Sequence, residues 1–348
     1  MTKQFLESSM HQAWCRFRAH RSGYISLLLL TALFALSLGA ELISNDKPLI
    51  VRYEGQWYFP LVQTLPETRF GGDFPTPTDY LDPFIREQLR KDSNFALFPP
   101  NPYHHSTINY FATEPSPSAP SRSNWLGTDD RGRDLAARLL YGFRVSMLFA
   151  LIVSAVSALN GILYGAIQGY FAGWSDIAME RAVEIWSAMP TLYMLIIFSA
   201  LFSPNLGLLI VLIAAFGWMG LAAYVRAEFL KNRNLDYVRA ARALGQKKRV
   251  IIFRHILPNA LTPVITLIPF EMAGAIGALT SLDFLGLGVP PDTPSLGELL
   301  AQGKANLDAW WISLATFAVL VTTLLLLVLI GDALRDALDP RKRLEEAA

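Results

Sequence analysis

The sequence predicts an all-α integral membrane protein of six spanning helices, with a small folded insertion after the first. Three observations carry this. Charged residues make up 17% and hydrophobic residues 52% of the 348-residue chain, against roughly 25% charged in ordinary soluble domains. The apolar residues are gathered in charge-free runs, and a span needs about 20 such residues. Basic residues cluster at alternate ends of those runs, which sets an orientation.

Residues 1–43 hold a tail with Lys3, Arg16, Arg18 and Arg21, then the uncharged run Ser22–Ala40 of 19 residues. That run exceeds the roughly 7–15 residues of a signal-peptide core, and no small-x-small site precedes Glu41, so an uncleaved anchor is expected. Residues 44–124 are polar and rich in Pro, Asn and aromatics. Trp57, Tyr58, Phe59, Tyr103, Tyr110 and Phe111 are too many aromatics for a bare linker, so a small folded lobe is expected there. Asp79–Lys91 suits a short helix, and Pro115–Pro120 reads as an extended linker.

Residues 125–144 form a lead-in: a turn at Gly127-Thr128-Asp129, then an amphipathic helix from Asp134 to Tyr141. A five-helix core is expected over 145–331. Val145–Phe171 is one run of 27 residues, with Gly161, Gly165, Gly169 and Gly173 at spacing four, a close-packing face. Ile185–Val225, 41 residues, suits two spans broken at Ser203-Pro204-Asn205. Ile256–Leu282 is interrupted only by Glu271 and carries Pro258, Pro263 and Pro269, which a bundle or a water-filled path tolerates. A carboxylate at the depth of Glu271 faces an interior or a cavity. The stretch 284–308 is a Gly/Pro-rich loop with turns at Gly286, Gly288, Pro290, Pro291 and Pro294 and a short helix over Leu296–Asn306. Ala309–Gly331 is the last span, followed by the tail 332–348 with Arg335, Arg341, Lys342 and Arg343.

Both tails are basic and so is the loop 226–255, where nine Lys/Arg stand against Glu228 and Asp236. Basic flanks stay cytoplasmic. Six spans then place both termini and 226–255 inside, and 44–124 and 284–308 outside.

Enzymatic chemistry is missing. Cys15 is the single cysteine, and the five histidines have no ligand spacing beyond the adjacent pair His104-His105. Neither a nucleophile–base set nor an intramembrane catalytic pair can be assembled. Gly297–Lys304 departs from a phosphate loop in spacing, and Ala305 stands where Ser or Thr would hold magnesium. No cofactor, metal or nucleotide site of the chain's own is expected. A secondary transporter or channel using Glu271 in its path would also fit six spans.

The segment Asp236–Pro258 says more. Asn234 suits an N-cap and Gly245 a helix stop, with Tyr237, Ala241 and Leu244 on one face. A second helix, Gln246 to about Arg254, would then meet Pro258, where the fifth span would begin. Arg239-Ala240-Ala241, three residues, Gly245, nine residues, then His255-Ile256-Leu257-Pro258 resembles the "EAA" coupling motif of ABC importer permeases. Arg239 and His255 depart from it. Arg254–Asn259 is similar to the dipeptide/oligopeptide branch of that family. Gly127-Thr128-Asp129 with Gly132-Arg133-Asp134, Phe284-Leu285-Gly286-Leu287-Gly288 with Thr293-Pro294-Ser295 and Gly297, and Asp339-Pro340-Arg341 resemble the branch too. Leu279 stands where relatives often carry Glu, and Asp283 where they often carry Ser. The long insertion, with Asn45–Pro48, Trp57–Pro60 and Thr280–Phe284, is similar to a subgroup that takes up oligopeptides and the peptide-nucleotide antibiotic microcin C.

The resemblance implies the type I ABC importer permease fold in a bacterial inner membrane. It implies a second permease subunit as heterodimer partner, two cytoplasmic ATPase domains that bind the ATP and magnesium, a periplasmic peptide-binding protein and a peptide substrate, with no nucleic acid involved. The ATPases would dock on Asp236, Tyr237, Arg239, Ala240, Ala241, Leu244, Gly245, Arg254 and Pro258. Gly286, Gly288, Pro290, Pro291, Pro294 and Leu296 would form a loop that meets the binding protein and helps release its peptide. Glu271 and Asp283 are the candidates to line the path.

Overall fold

The computed structural model describes residues 2–91, 94–108, 115–202 and 205–339. Of the expectations above, Ser203, Pro204, Tyr110, Phe111 and the basic residues Arg341, Lys342 and Arg343 lie outside them.

In chain order the elements are α1 (Thr2–Ala19), α2 (Arg21–Leu38), the turn α3 (Ala40–Ile43), β1 (Ile50–Tyr53), β2 (Gln56–Tyr58), α4 (Pro83–Arg90) and β3 (Phe95–Leu97). Then follow α5 (Leu135–Phe171), α6 (Gly173–Ser187), α7 (Thr191–Leu201), α8 (Leu206–Asn232) and α9 (Asp236–Ala243). The continuous helix α10 covers Lys248–Phe284, and α11 (Leu296–Ala305) and α12 (Trp310–Leu338) complete the set. Five of these, α2, α5, α8, α10 and α12, are long and apolar enough to cross a membrane. The bent pair α6–α7 makes up to six.

The chain divides into two compact units. The first comprises Met1–Thr31, Met147–Leu282 and Val321–Ala348. Its centre is the seam between α5 and α8. A Cβ placed on Gly165 would stand 2.5 Å from the Ala222 carbonyl oxygen, and one on Gly169 would stand 2.5 Å from the Phe229 Cβ. Gly161 meets Leu221 in the same way. The expected glycine face is therefore real for these three. Gly173 is not part of it: α5 ends at Phe171, and Gly173 has open space around it at a φ of +63°.

Two further expectations change in this unit. The apolar run Ile185–Val225 is interrupted between α7, ending at Leu201, and α8, beginning at Leu206, about where the break was expected, but it is also bent by 63° between α6 and α7, at the residues before Pro190, because proline disfavours helical backbone in its predecessor and donates no amide. The helix expected to begin at Pro258 begins earlier. Pro258 lacks the N–H that would bond the Arg254 carbonyl, and the chain answers with a wider π-type turn over Ile251–Ile256. The helix therefore runs unbroken from Lys248, with Pro263 and Pro269 inside it.

The second unit comprises Ala32–Ser146 and Asp283–Leu320. It contains a folded lobe, as expected, but with strands that were not. β1 pairs antiparallel with β2 and β3 in the order β2-β1-β3. Glu54 and Gly55 connect β1 to β2 with φ of +48° and +80°, the two left-handed residues of a tight hairpin turn. Val51, Phe70, Tyr80, Ile85 and Leu89 form the lobe's core. Asp82 caps α4 by accepting from the Phe84 amide at 2.8 Å, so the helix starts at Pro83, four residues after the expected start at Asp79.

In the same unit the lead-in packs against the 284–308 stretch. Leu135 and Leu139 on α5 share a buried cluster with Leu296 and Leu299 on α11 and with Ala309 and Ile312. Asp129 receives the Arg133 Nε at 2.7 Å. Glu298 gathers Arg131, Arg133 and the fully buried Arg138 around one carboxylate.

Candidate functional site

The basic segment after α8 folds into a knob built from its own core outward. α9 is eight residues long and stops at Gly245, which sits at a φ of +70° with open space around it. This left-handed stop suits glycine because it carries no Cβ. Val238 and Ala241 turn inward and join Phe229, Tyr170, Ile251, Ile256 and Ala260 in one apolar cluster. The expected face of Tyr237, Ala241 and Leu244 is thus split: Ala241 is buried while Leu244 is 79% exposed, because α9 ends before it. Asn234 is not the N-cap. That position belongs to Leu235, which has no capping side chain, and the Asn234 amide donates to the Leu230 carbonyl at 3.4 Å.

Cations clasp the knob to neighbouring helix ends. Arg242 lies 5.6 Å from the Tyr170 ring centre and Lys248 lies 5.6 Å from that of Phe171. Arg233 donates to the Tyr170 carbonyl at 3.3 Å. At the end of α8, Arg226 grips Asp176 with two hydrogen bonds of 2.7 and 2.9 Å and reaches Glu180 at 3.3 Å. The two-pronged geometry fixes direction as well as charge. Asp236, Tyr237, Arg239, Ala240, Leu244, Gly245 and Arg254 remain exposed, and Pro258 is half-buried. The result is a basic surface standing on a packed base.

The second candidate, 284–308, is also shaped from within. Ser295 caps α11, accepting from the amides of Gly297 and Glu298 at 3.1 and 3.3 Å. Gly286 turns at a φ of +73°. Phe284, Leu285, Gly286, Pro290 and Pro291 form an exposed rim, over a buried base of Gly288, Pro294 and Leu296. Asp283 was expected to line a path. Its carboxylate is instead turned into the loop, accepting from the Val289 amide at 2.8 Å and from the Ser295 hydroxyl. Glu271 lies half-buried on α10.

Sequence reasoning missed Arg226–Asp176, Glu298 with its arginines, and the pair Asn232 and Asn259 near Tyr237. Charges next to apolar runs were the available signal for the first two; nothing in spacing marks the asparagines.

A model of the binding-protein-dependent transport system inner membrane component matches residues 161–344, which holds the whole knob. The chain belongs to this family. It is a permease subunit of an ABC importer. It is 49% identical over 96% of its length to the inner membrane ABC transporter permease protein YejE of Escherichia coli (strain K12), covering 98% of that protein. The peptidoglycan transport system permease protein YejE of Agrobacterium fabrum is 45% identical over 94% of this chain and 92% of its own. The oligopeptide transport system permease protein OppC of Mycobacterium bovis is 37% identical over 72% of this chain and 86% of its own. Among solved structures, an inward-facing form of the MetNI methionine ABC transporter aligns at a TM-score of 0.50. It shares 18% identity and covers 59% of this chain and 98% of that one. At that identity it speaks for the fold alone: the ABC permease is helical, as expected, with the small sheet added in its lobe.

Proposed function

We propose that this permease carries oligopeptides and peptide-derived compounds such as microcin C into the cell, by alternating access driven from outside the chain. The observation that carries the reading is the knob: an exposed basic surface on a rigid apolar base, ending at Gly245. Relatives named for oligopeptide and peptidoglycan transport support a peptide-bearing cargo. The Arg239-Ala240-Ala241-to-Pro258 spacing supports a docking role.

On this reading there are six spans, with α6–α7 as the third and both termini cytoplasmic. Residues 44–124 form a periplasmic insertion, 125–144 its lead-in, 145–331 the five-helix core and 332–348 an inner tail. Two ATPase domains hold ATP and magnesium and seat the knob at Asp236, Tyr237, Arg239, Ala240, Leu244, Gly245 and Arg254. Their closure rocks the helices about a central path. A second permease subunit completes that path, with Glu271 facing it. A periplasmic binding protein delivers peptide to the rim Gly286–Pro294.

Uptake tests the reading. Cells lacking this chain should lose import of a radiolabelled tryptic peptide mixture and regain it with the intact gene. Unchanged import in the deletion strain overturns the peptide assignment.

A further inference from the structure

We propose that Tyr237 is a positioning residue: its hydroxyl ties the docking face of the knob to two spanning helices at once. The inference rests on the docking role proposed above. The Tyr237 O–H donates to the Asn232 Oδ1 at 3.0 Å, at the last residue of α8. The same oxygen accepts from the Asn259 amide at 3.2 Å, on α10. Asn232 is itself buried and fixed, its amide bonded to the Glu228 carbonyl at 2.8 Å and the Glu228 carboxylate at 3.1 Å. Asn259 is anchored to its own helix through the His255 carbonyl at 3.5 Å.

Both hydrogen bonds of the hydroxyl thus end on spanning helices, one on the buried Asn232 and one on the exposed Asn259, while Tyr237 as a whole is 40% exposed. One side chain has its ring at the docking surface and its polar tip between α8 and α10. The other attachments of the knob do not do this. Val238 and Ala241 are apolar contacts without direction, and the Arg242 and Lys248 clasps end on α5. Hydrogen bonds are directional, so through Tyr237 a displacement of α9 pulls in a fixed direction on Asn232 of α8 and Asn259 of α10 at once.

The test uses the complete complex in lipid vesicles, with partner subunits, binding protein and the radiolabelled peptide mixture. The readout is peptide imported per ATP hydrolysed. Tyr237→Phe keeps the ring and removes the hydroxyl; the ratio should fall about two- to tenfold, the effect of one neutral hydrogen-bonding group. Asn259→Ala should lower it as well, and the double variant should be no worse than the poorer single one, because both remove one link. An unchanged ratio in Tyr237→Phe, or additive losses, overturns the proposal. A Gly245→Trp complex separates this from the docking reading. If that variant still assembles with its ATPases and imports normally, docking itself fails and the proposal fails with it. If it does not, and Tyr237→Phe keeps the ratio, only the Tyr237 link fails.

Discussion

Gly288 and Asp283 occupy the same corner of space: a Cβ on Gly288 would stand 1.6 Å from the Asp283 Oδ1. The clash would displace the carboxylate that holds Val289 and Ser295. Gly288→Ala is therefore expected to collapse the loop's base, costing on the order of 1–3 kcal/mol of overpacking. Limited proteolysis in detergent should show faster cleavage within 284–308 while membrane insertion persists. Intact protection in the variant would show that the loop does not depend on this corner.

Glu298 gathers three arginines, of which Arg138 is fully buried. Glu298→Ala leaves that guanidinium with only the Asp129 carboxylate, at 4.0 Å, and breaking a buried pair from one side costs about 3–5 kcal/mol. Thermal unfolding in detergent should drop markedly. Removing the exposed Arg131 instead should change little, within about 1 kcal/mol.

The α5–α8 seam admits no side chain at Gly165, where a Cβ would stand 2.5 Å from backbone oxygen. Gly165→Leu should force the helices apart, and its destabilisation should exceed that of Gly220→Leu, since Gly220 has nothing within 4 Å. Comparing detergent-solubilised yields and melting of the two variants checks the order.

Gly245→Trp places a bulky residue at a left-handed stop, a strain of roughly 1 kcal/mol, on a surface that otherwise has room. The chain should still insert, and peptide uptake should be lost. Normal uptake by a stably expressed variant would count against docking at this turn.

His105 is held neutral: burial, then the neighbouring His104 and the cations Arg138, Arg144 and Arg133, push its pKa down to about 3. His104 is lowered in the same direction, mainly by burial. Both rings pack on Tyr141, at 5.0 and 4.8 Å. The unfolded chain takes up a proton near pH 6.5 that the fold refuses until much lower pH. Stability should therefore be full above about pH 6.5 and fall as pH drops toward about 3. His105→Phe should flatten that slope; a pH series of proteolysis rates within 44–108 measures it.

What could be read from the sequence was whatever local chemistry decides. Gly245 as a helix stop, the glycine face through Gly169, the α11 helix and the long apolar runs all follow from single-residue preferences repeated in a pattern. What could not be read depends on partners distant in the chain. β1 and β2 are four and three residues long, and their Glu54-Gly55 turn lacks the usual Asn-Gly or Asp-Gly signature. Asn234 looked like a cap, but α9 begins one residue late and its donor found Leu230 instead. Asp283, just past the expected end of a span, was a candidate to line the path, and only Val289 and Ser295, met again after a turn, give its carboxylate its partners. The docking face was misread at Ala241 because spacing names a stripe, while tertiary packing decides which part of it is covered.

The bend at Ala188–Pro190 carries a consequence for the lipid around the protein. Where α6 stops and α7 starts, carbonyls at one end and amides at the other have no next turn to receive them, and hydrocarbon offers no substitute. Set within a bilayer, such a corner is expected to face protein or water rather than acyl chains. With α6–α7 as a broken span, the annulus of lipid is expected to part at that corner.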